Sequence, residues 1–403
     1  MIAIRSVTYN MPEQITPAVL NVVENCSGMW DSAYGDVHTQ RMNLVPFTQP
    51  FSASEFTDIS NLCERSSIRW FNVPVNLNKA EKPEAVVSSL VQLLKGNGRA
   101  FGNLIGVEDS KINTRNFEIY AQYAKDISRM HISGKDNFRA GLSFNIGYNC
   151  PFFPFTRSSG ELSFSIALEM AKDMNDVCRN TEHSGLADLR EKLIDRLLPQ
   201  IQNIYAIAQQ VSRRSGIPFA GFDFSLAPSI DEMGSVITIL HAIGVYNFGR
   251  SGTMFATSFL TDILKHFAAI FPSVGFSGVM YSLLEDLELC KINNKRGISI
   301  EQLTMVSTMC GCGLDMVPVY GEISDTEVAA LCYEIAAISC KLNKPLGVRL
   351  LPIQHCKRGT QGYTAMKNDA DFVANTKVVH LDVNVLDMED ETFSYLALPY
   401  TKN

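Results

Sequence analysis

The sequence predicts an α/β fold built on parallel strands, and three observations carry that expectation. Short apolar runs rich in β-branched residues alternate with longer segments of helical period, the pattern that βαβ crossovers produce. Hydrophobic residues make up 46% of the chain and charged residues 19%, so a core can form and long disordered stretches are not expected. The 403 residues suffice for one large domain or two ordinary ones.

Ile2 to Tyr9 reads as a first strand, followed after Pro12 and Pro17 by a helix from Ala18 to Trp30 and a strand from Val37 to Val45. Ser52 and Glu55 have capping-box spacing, which starts a helix running to about Arg65. Ile68 to Val75 is a strand, Pro83 to Gly96 a helix, Arg99 to Val107 a strand, Phe117 to His131 a helix and Arg139 to Ile146 a strand. After the turn at Pro151-Phe152-Phe153-Pro154, Glu161 to Cys178 reads as helical and leads into a long helix ending near Ser215, capped by Gly216. The later part reads as strand Ile217 to Leu226, helices Met233 to Ile243 and Thr253 to Phe271, and strand Val274 to Tyr281. Helix Ile300 to Met309, strand Leu314 to Val319, helix Thr326 to Leu342 and strand Leu346 to Ile353 follow. An internal boundary is expected near 180–216, within a single large domain spanning the chain, and the polar tail 355–403 reads as peripheral.

A formal charge of -7 without a basic run argues against nucleic acid as a partner, because neutralising many phosphates needs clustered Lys and Arg. No apolar stretch approaches the roughly 20 residues that span a bilayer, and the start lacks a charged region followed by an apolar core. These features predict a cytoplasmic protein with no membrane partner. Ten scattered cysteines look like reduced, buried thiols and not a disulfide framework. A homodimer is the default expectation for this size and class.

Four places could hold chemistry. Asn247 to Thr253 puts Gly249, Ser251, Gly252 and Thr253 ahead of a long apolar helix, where free amides and the helix dipole favour an anion; the other reading is a turn with an N-cap. Cys310 and Cys312 flank one glycine just before a strand, with Asp315 beyond, and read as nucleophile, metal ligands, redox couple or two small buried thiols. The preceding helix C-terminus is expected to raise their pKa. Asp223, Ser225, Ser277, Glu285 and Asp286 lie at or beyond strand ends, where ligands gather in parallel sheets. Glu285 is read as acid or base and Asp286 as a ligand for a divalent metal, against an equal expectation that both begin a helix. Arg349 sits inside an apolar strand and needs a carboxylate or an anionic ligand as partner.

Together these segments resemble a known family. The resemblance rests on Ile4-Arg5-Ser6-Val7-Thr8, Thr39-Gln40-Arg41, Asn137-Phe138-Arg139 and Pro151-Phe152-Phe153-Pro154. Farther along it takes in Asp223 to Pro228, Gly249 to Thr253, Gly275-Phe276-Ser277-Gly278, Glu285-Asp286, Ser307 to Gly321, Lys344-Pro345-Leu346 and Arg349. The chain resembles the domain of unknown function 711 family, labelled pyruvate-formate-lyase-like. That resemblance implies an α/β barrel of about ten strands with outer helices, as in glycyl radical enzymes. Their radical glycine stands in an Arg-Val-x-Gly-Tyr context, whereas this chain has Gln361-Gly362-Tyr363 without the Arg-Val, so radical chemistry is not expected. The expectation is an enzyme, or a descendant of one, that binds a small anionic metabolite, with Cys310, Cys312, Asp315 and Glu285 at the chemistry. The alternative is a metabolite sensor or an assembly protein on a retained scaffold.

Overall fold

A computed structural model describes residues 2–360, 362–366, 371–386 and 390–395. The first half alternates as the sequence predicts: β1 (Ala3–Asn10), α1 (Pro17–Ala33), β2 (Gln40–Asn43), α2 (Thr57–Arg65), β3 (Ile68–Asn76), α3 (Pro83–Gly96), β4 (Ala100–Glu108), β5 (Lys111–Asn113), α4 (Arg115–Ser128) and β6 (Ala140–Phe144). Then come β7 (Ser163–Glu169), α5 (Ala171–Asn180), α6 (Leu186–Ser215), β8 (Phe219–Asp223), α7 (Val236–Ala242) and α8 (Thr253–Ile270). The chain continues with α9 (Leu287–Arg296), α10 (Ile300–Ser307), β9 (Gly313–Tyr320), α11 (Asp325–Leu342), β10 (Leu346–Ile353) and β11 (Thr392–Ser394). Among the described residues no helix is long and apolar enough to cross a membrane.

The strands form one sheet in the order β8-β7-β1-β2-β3-β4-β6-β10-β9, with β5 and β11 attached beside β4. β1, β2, β3, β4 and β6 run parallel, whereas β7 is antiparallel to β1 and β10 is antiparallel to β6. The sheet is therefore a parallel centre flanked by two pairs of opposite direction. Among the described residues no regular ladder joins its edges β8 and β9. Between them run single bridges only, Phe222 to Ser273, Leu226 to Val279 and Ser282 to Asp315. The expected strand Val274 to Tyr281 is absent because Gly275 and Ser277 take left-handed backbone, φ +70° and +46°, which breaks extended geometry.

A second expectation also fails. Glu161 to Cys178 is not one helix: its first part is β7, buried at every position because it pairs with β1 on one side and β8 on the other. A short apolar run buried on both faces carries no period to distinguish the two states. Elsewhere the local signals hold. Ser52 and Glu55 form the reciprocal capping box, and Gly216 closes α6 in left-handed conformation with φ +74°. Along α6, Leu189, Leu193, Leu197, Ile201, Ile204, Ala208 and Val211 form one buried stripe at helical spacing.

The connection between β6 and β7 shapes the interior. Residues 150–158 are all buried, and they lie against one face of the sheet. A buried loop must find partners for its own peptide groups. The sheet supplies them from side chains on that face: Asn72 Nδ2 and Asn103 Nδ2 donate to the Thr156 carbonyl at 3.2 and 3.1 Å, and Ser6 Oγ donates to the Pro151 carbonyl at 3.3 Å. Ser158 donates its amide to the Leu44 carbonyl and its hydroxyl to the Met11 carbonyl. Room is made by glycine: a Cβ on Gly141 or on Gly347 would stand 2.6 Å from the Phe155 ring.

Gly347→Ala should thus overpack the interior and destabilise the protein by about 1–3 kcal/mol, read from urea denaturation. Adding Phe155→Leu should recover part of that loss; simple additivity of the two changes would show that the loop is not held in this slot.

Candidate ligand-binding cavity

A cavity of about 390 Å³ opens beside this loop. Arg5, Arg41, Trp70 and Phe101 reach it from the starts of β1 to β4, while Phe152, Phe153 and Phe155 supply the loop wall. Glu169 comes from the end of β7, Ser229 and Asp231 from the segment after β8, and Ser282 and Glu285 from the stretch before α9. Cys312 lies just before β9, Asp315 and Arg349 come from β9 and β10, and Asp371 and Phe372 from the C-terminal stretch. The cavity thus opens at the amino ends of the central parallel strands, whereas the sequence placed the candidate site at carboxyl ends. It lies at the carboxyl ends only of the flanking strands β7 and β8.

Irregular pairing aims several of these side chains inward. The β1–β7 register slips between Ile4 and Ser6, leaving Arg5 as the extra residue. The β2–β3 register slips so that Arg69 is unmatched, and the β9–β10 register slips at Arg349, opposite Asp315 and a left-handed Met316. A bulge bends its strand and redirects a side chain that regular alternation would send elsewhere.

Most charges in the cavity are already paired. Arg349 makes a bidentate ion pair with Asp315, at 2.7 and 2.9 Å, and donates to the Phe138 carbonyl at 3.0 Å. Burial works against its charge, yet Asp315 and Glu285 hold its pKa above the ordinary value. Glu285 stands 3.8 Å from both Arg349 and Arg5, and Arg5 lies equally far from Glu169. Glu169 is kept below the usual carboxylate range: burial raises it, and the His38 hydrogen bond and Arg5 outweigh that. His38, whose Nδ1 is 3.0 Å from Glu169 and whose Nε2 is 3.2 Å from Asp36, is raised by that same hydrogen bond.

Arg41 differs. Its Nε donates to Thr39 Oγ1 at 3.0 Å, its Nη1 reaches the Pro151 carbonyl at 3.4 Å, and the guanidinium carbon lies 5.3 Å from the ring centres of both Trp70 and Phe153. Among the described residues no carboxylate lies within ion-pair distance of it. Burial and the nearby charges of Arg5, Arg69 and Arg349 pull its proton affinity down, with Glu285 opposing. A guanidinium so placed stays charged and calls for a counter-ion.

Of the residues singled out from the sequence, Cys312, Asp315, Glu285 and Arg349 meet at this cavity. Cys310 does not line it; it faces a smaller crevice with Lys265 and Lys344. The Cys312 thiol, which donates to the Gly313 carbonyl at 3.8 Å, lowers its neighbour Cys310 against the cost of burial, and Lys344 adds to the effect. The proximity of the two sulfurs raises Cys312. The expected upward push of the helix end does not prevail at Cys310, where Cys312 acts most strongly and Lys344 Nζ adds its charge while donating to the carbonyls of Ser307, Thr308 and Cys310.

The other candidates lie elsewhere. Gly249, Ser251, Gly252 and Thr253 are not among the lining residues, and Thr253 Oγ1 accepts from the Gly249 amide at 3.0 Å, so the turn satisfies itself. Asp223, Ser225 and Ser277 do come together, but in dry packing. Asp223 accepts from the amides of Ser225, Phe276 and Ser277 and from Ser225 Oγ, and burial raises its pKa despite those donors. Asp286 caps α9, accepting from the Glu288 and Leu289 amides, and it also accepts from Ser235 Oγ and the Val236 amide. Burial lifts it to about 6. Among the described residues no group of three or more His, Cys, Asp or Glu side chains is placed to hold a metal ion. Gln361 of the Gln361-Gly362-Tyr363 motif lies outside the described residues.

Residues 4–363 match the family described as Uncharacterised ACR (DUF711). The chain belongs to this family. It is similar to a UPF0210 protein of Pyrobaculum aerophilum, 34% identical over 55% of this chain and 50% of that protein. A UPF0210 protein of Bifidobacterium adolescentis is 24% identical over 78% of this chain and 72% of its own length, and one of Clostridium botulinum is 33% identical over 38% and 34%. The chain spans 50%, 35% and 62% of the length of the three Pyrobaculum relatives it matches.

In this DUF711 chain the residues the sequence reading missed are Arg5, His38, Arg41, Trp70 and Glu169. Arg5 in β1 and Arg41 in β2 are also charges inside strands, but those strands are half or more polar in sequence, which hides the signal that Arg349 gives in apolar β10. Asp315→Ala should cost about 3–5 kcal/mol in urea denaturation, because it strands the buried Arg349 charge. Asp315→Leu combined with Arg349→Met should recover most of it; an equal loss in the double variant would refute the pairing.

Proposed function

We propose that this chain is an enzyme, or a descendant of one, that binds a small anionic metabolite in the 390 Å³ cavity, with Arg41 as its anchor. The observation that supports this is the Arg41 guanidinium itself: it is held between two rings and against a carbonyl, in a cavity where its neighbours Arg5 and Arg349 already have carboxylates. An arginine fork presents two parallel donors that suit a carboxylate or phosphate edge. Cys312 and Glu285 line the same space and are the groups proposed to act on the bound anion. Glu285 stands 3.8 Å from each of Arg5 and Arg349 and faces the same space as Cys312. Asp315 is spent on Arg349 and serves to fix that charge in place. The single bridges through residues 273–282 support reading the scaffold as a barrel closed by this segment, as the resemblance implies.

Thermal-shift titration with inorganic phosphate, acetate, benzoate and succinate tests the assignment. At least one anion should stabilise the wild type saturably, and Arg41→Gln should weaken it about 10- to 150-fold, the equivalent of about 1.5–3 kcal/mol for a charge-assisted bond. Equal binding by the variant would discard Arg41 as the anchor.

Affinity should also depend on pH. His38 titrates above its ordinary 6.5 because Glu169 holds its proton, so its positive charge is present below that raised value and lost as pH rises through it. Anion affinity should fall across that range in the wild type and stay flat in His38→Gln; parallel profiles would remove His38 from the account.

A further inference from the structure

We infer that the anion is a monocarboxylate carried on a flat apolar body, an arenecarboxylate or a close relative. This inference rests on the anion-binding reading above and narrows it by charge, wall and one unsatisfied hydroxyl.

Charge comes first. Asp315 is matched by Arg349, Glu169 by Arg5 and His38, and Glu285 is shared between the two arginines. Lys172 is matched by Asp231 at 3.4 Å, and among the described lining residues that leaves Arg41, Arg69 and Asp371 without an ion-pair partner, one positive charge net. A monoanion cancels it. A dianion such as phosphate or succinate would bring a second negative charge into a space lined by Glu285 and Asp315, where like charges repel strongly at short range.

The wall around Arg41 is aromatic. Trp70 and Phe101 have ring centres 5.3 Å apart, Phe101 and Phe153 5.5 Å, and Phe101 and Phe138 5.0 Å. A carboxylate seated on the fork would place the rest of its molecule along these rings. Flat apolar groups gain most there, through burial and offset or edge contacts. The volume lies at the small end of ligand pockets, which suits one ring with a short substituent.

Third, Ser282 is a lining residue, and its hydroxyl is sealed from solvent with no hydrogen-bond partner among the described residues, one side-chain rotation from the cavity. A buried hydroxyl without a partner carries a desolvation penalty that a ligand group can relieve. A ring hydroxyl or carbonyl on the ligand would do so.

Tryptophan fluorescence provides the first test. Of the chain's two tryptophans, Trp30 is buried in the core and Trp70 lines the cavity. Benzoate and 4-hydroxybenzoate should change the emission saturably, at concentrations about tenfold lower than succinate or inorganic phosphate, and the signal should vanish in Trp70→Phe. Calorimetry should show Ser282→Ala closing the gap between 4-hydroxybenzoate and benzoate, and Arg41→Gln weakening both 10-fold or more, with circular dichroism confirming that each variant is folded. Arg41-dependent binding of succinate or phosphate in preference to benzoate would overturn this inference while leaving the anion site standing. Failure of every anion to bind through Arg41 would remove both.

Discussion

The interior of this protein depends on how the buried loop 150–158 meets the hydrogen-bonding needs of its own backbone. An irregular segment laid on a sheet face carries peptide groups that water cannot reach. Asn72 and Asn103, on adjacent parallel strands, turn their amides to one carbonyl, Thr156, while Ser6 and Arg41 serve Pro151. Gly141 and Gly347 give up their side chains where Phe155 crosses. Without these provisions the loop could not stay inside, and the face of the sheet would have no aromatic wall.

The same loop ties fold to chemistry. Its Phe153 ring faces Arg41 and its Phe155 ring faces Arg349, with guanidinium carbons 5.3 and 5.8 Å from the ring centres. The two arginines nevertheless have opposite fates. Arg349 is locked into a bidentate pair with Asp315, made possible by the bulge that turns both inward. Arg41 rests on rings and a carbonyl, which order the side chain but do not cancel its charge. That contrast separates a structural ion pair from a place prepared for a ligand.

Much of the scaffold was legible because local chemistry decided it. The capping box at Ser52 and Glu55, the proline and last glycine of α3, and Gly216 after α6 act within a few residues of themselves. β7 was hidden because burial on both faces erases the period, and the stretch 274–281 because its left-handed residues answer to Asp223, a distant carboxylate that holds the amides of Phe276 and Ser277. Within the site, Arg349 stood out as a charge in an apolar strand and Asp315 by following the paired cysteines. Arg5 and Arg41 sit in more polar strands, and only the sheet order places them beside each other and across from Glu285. The glycine-rich start of α8 lies outside the lining of the cavity, and Thr253 there accepts from the Gly249 amide within its own turn.

The central claim is that Arg41 lacks a counter-charge and takes one from a ligand. A crystal structure of the chain grown with benzoate tests it most directly. The account predicts a carboxylate in bonding contact with the Arg41 guanidinium and a ring against Trp70 and Phe153. Benzoate seated elsewhere with the guanidinium turned onto a protein carboxylate would contradict it.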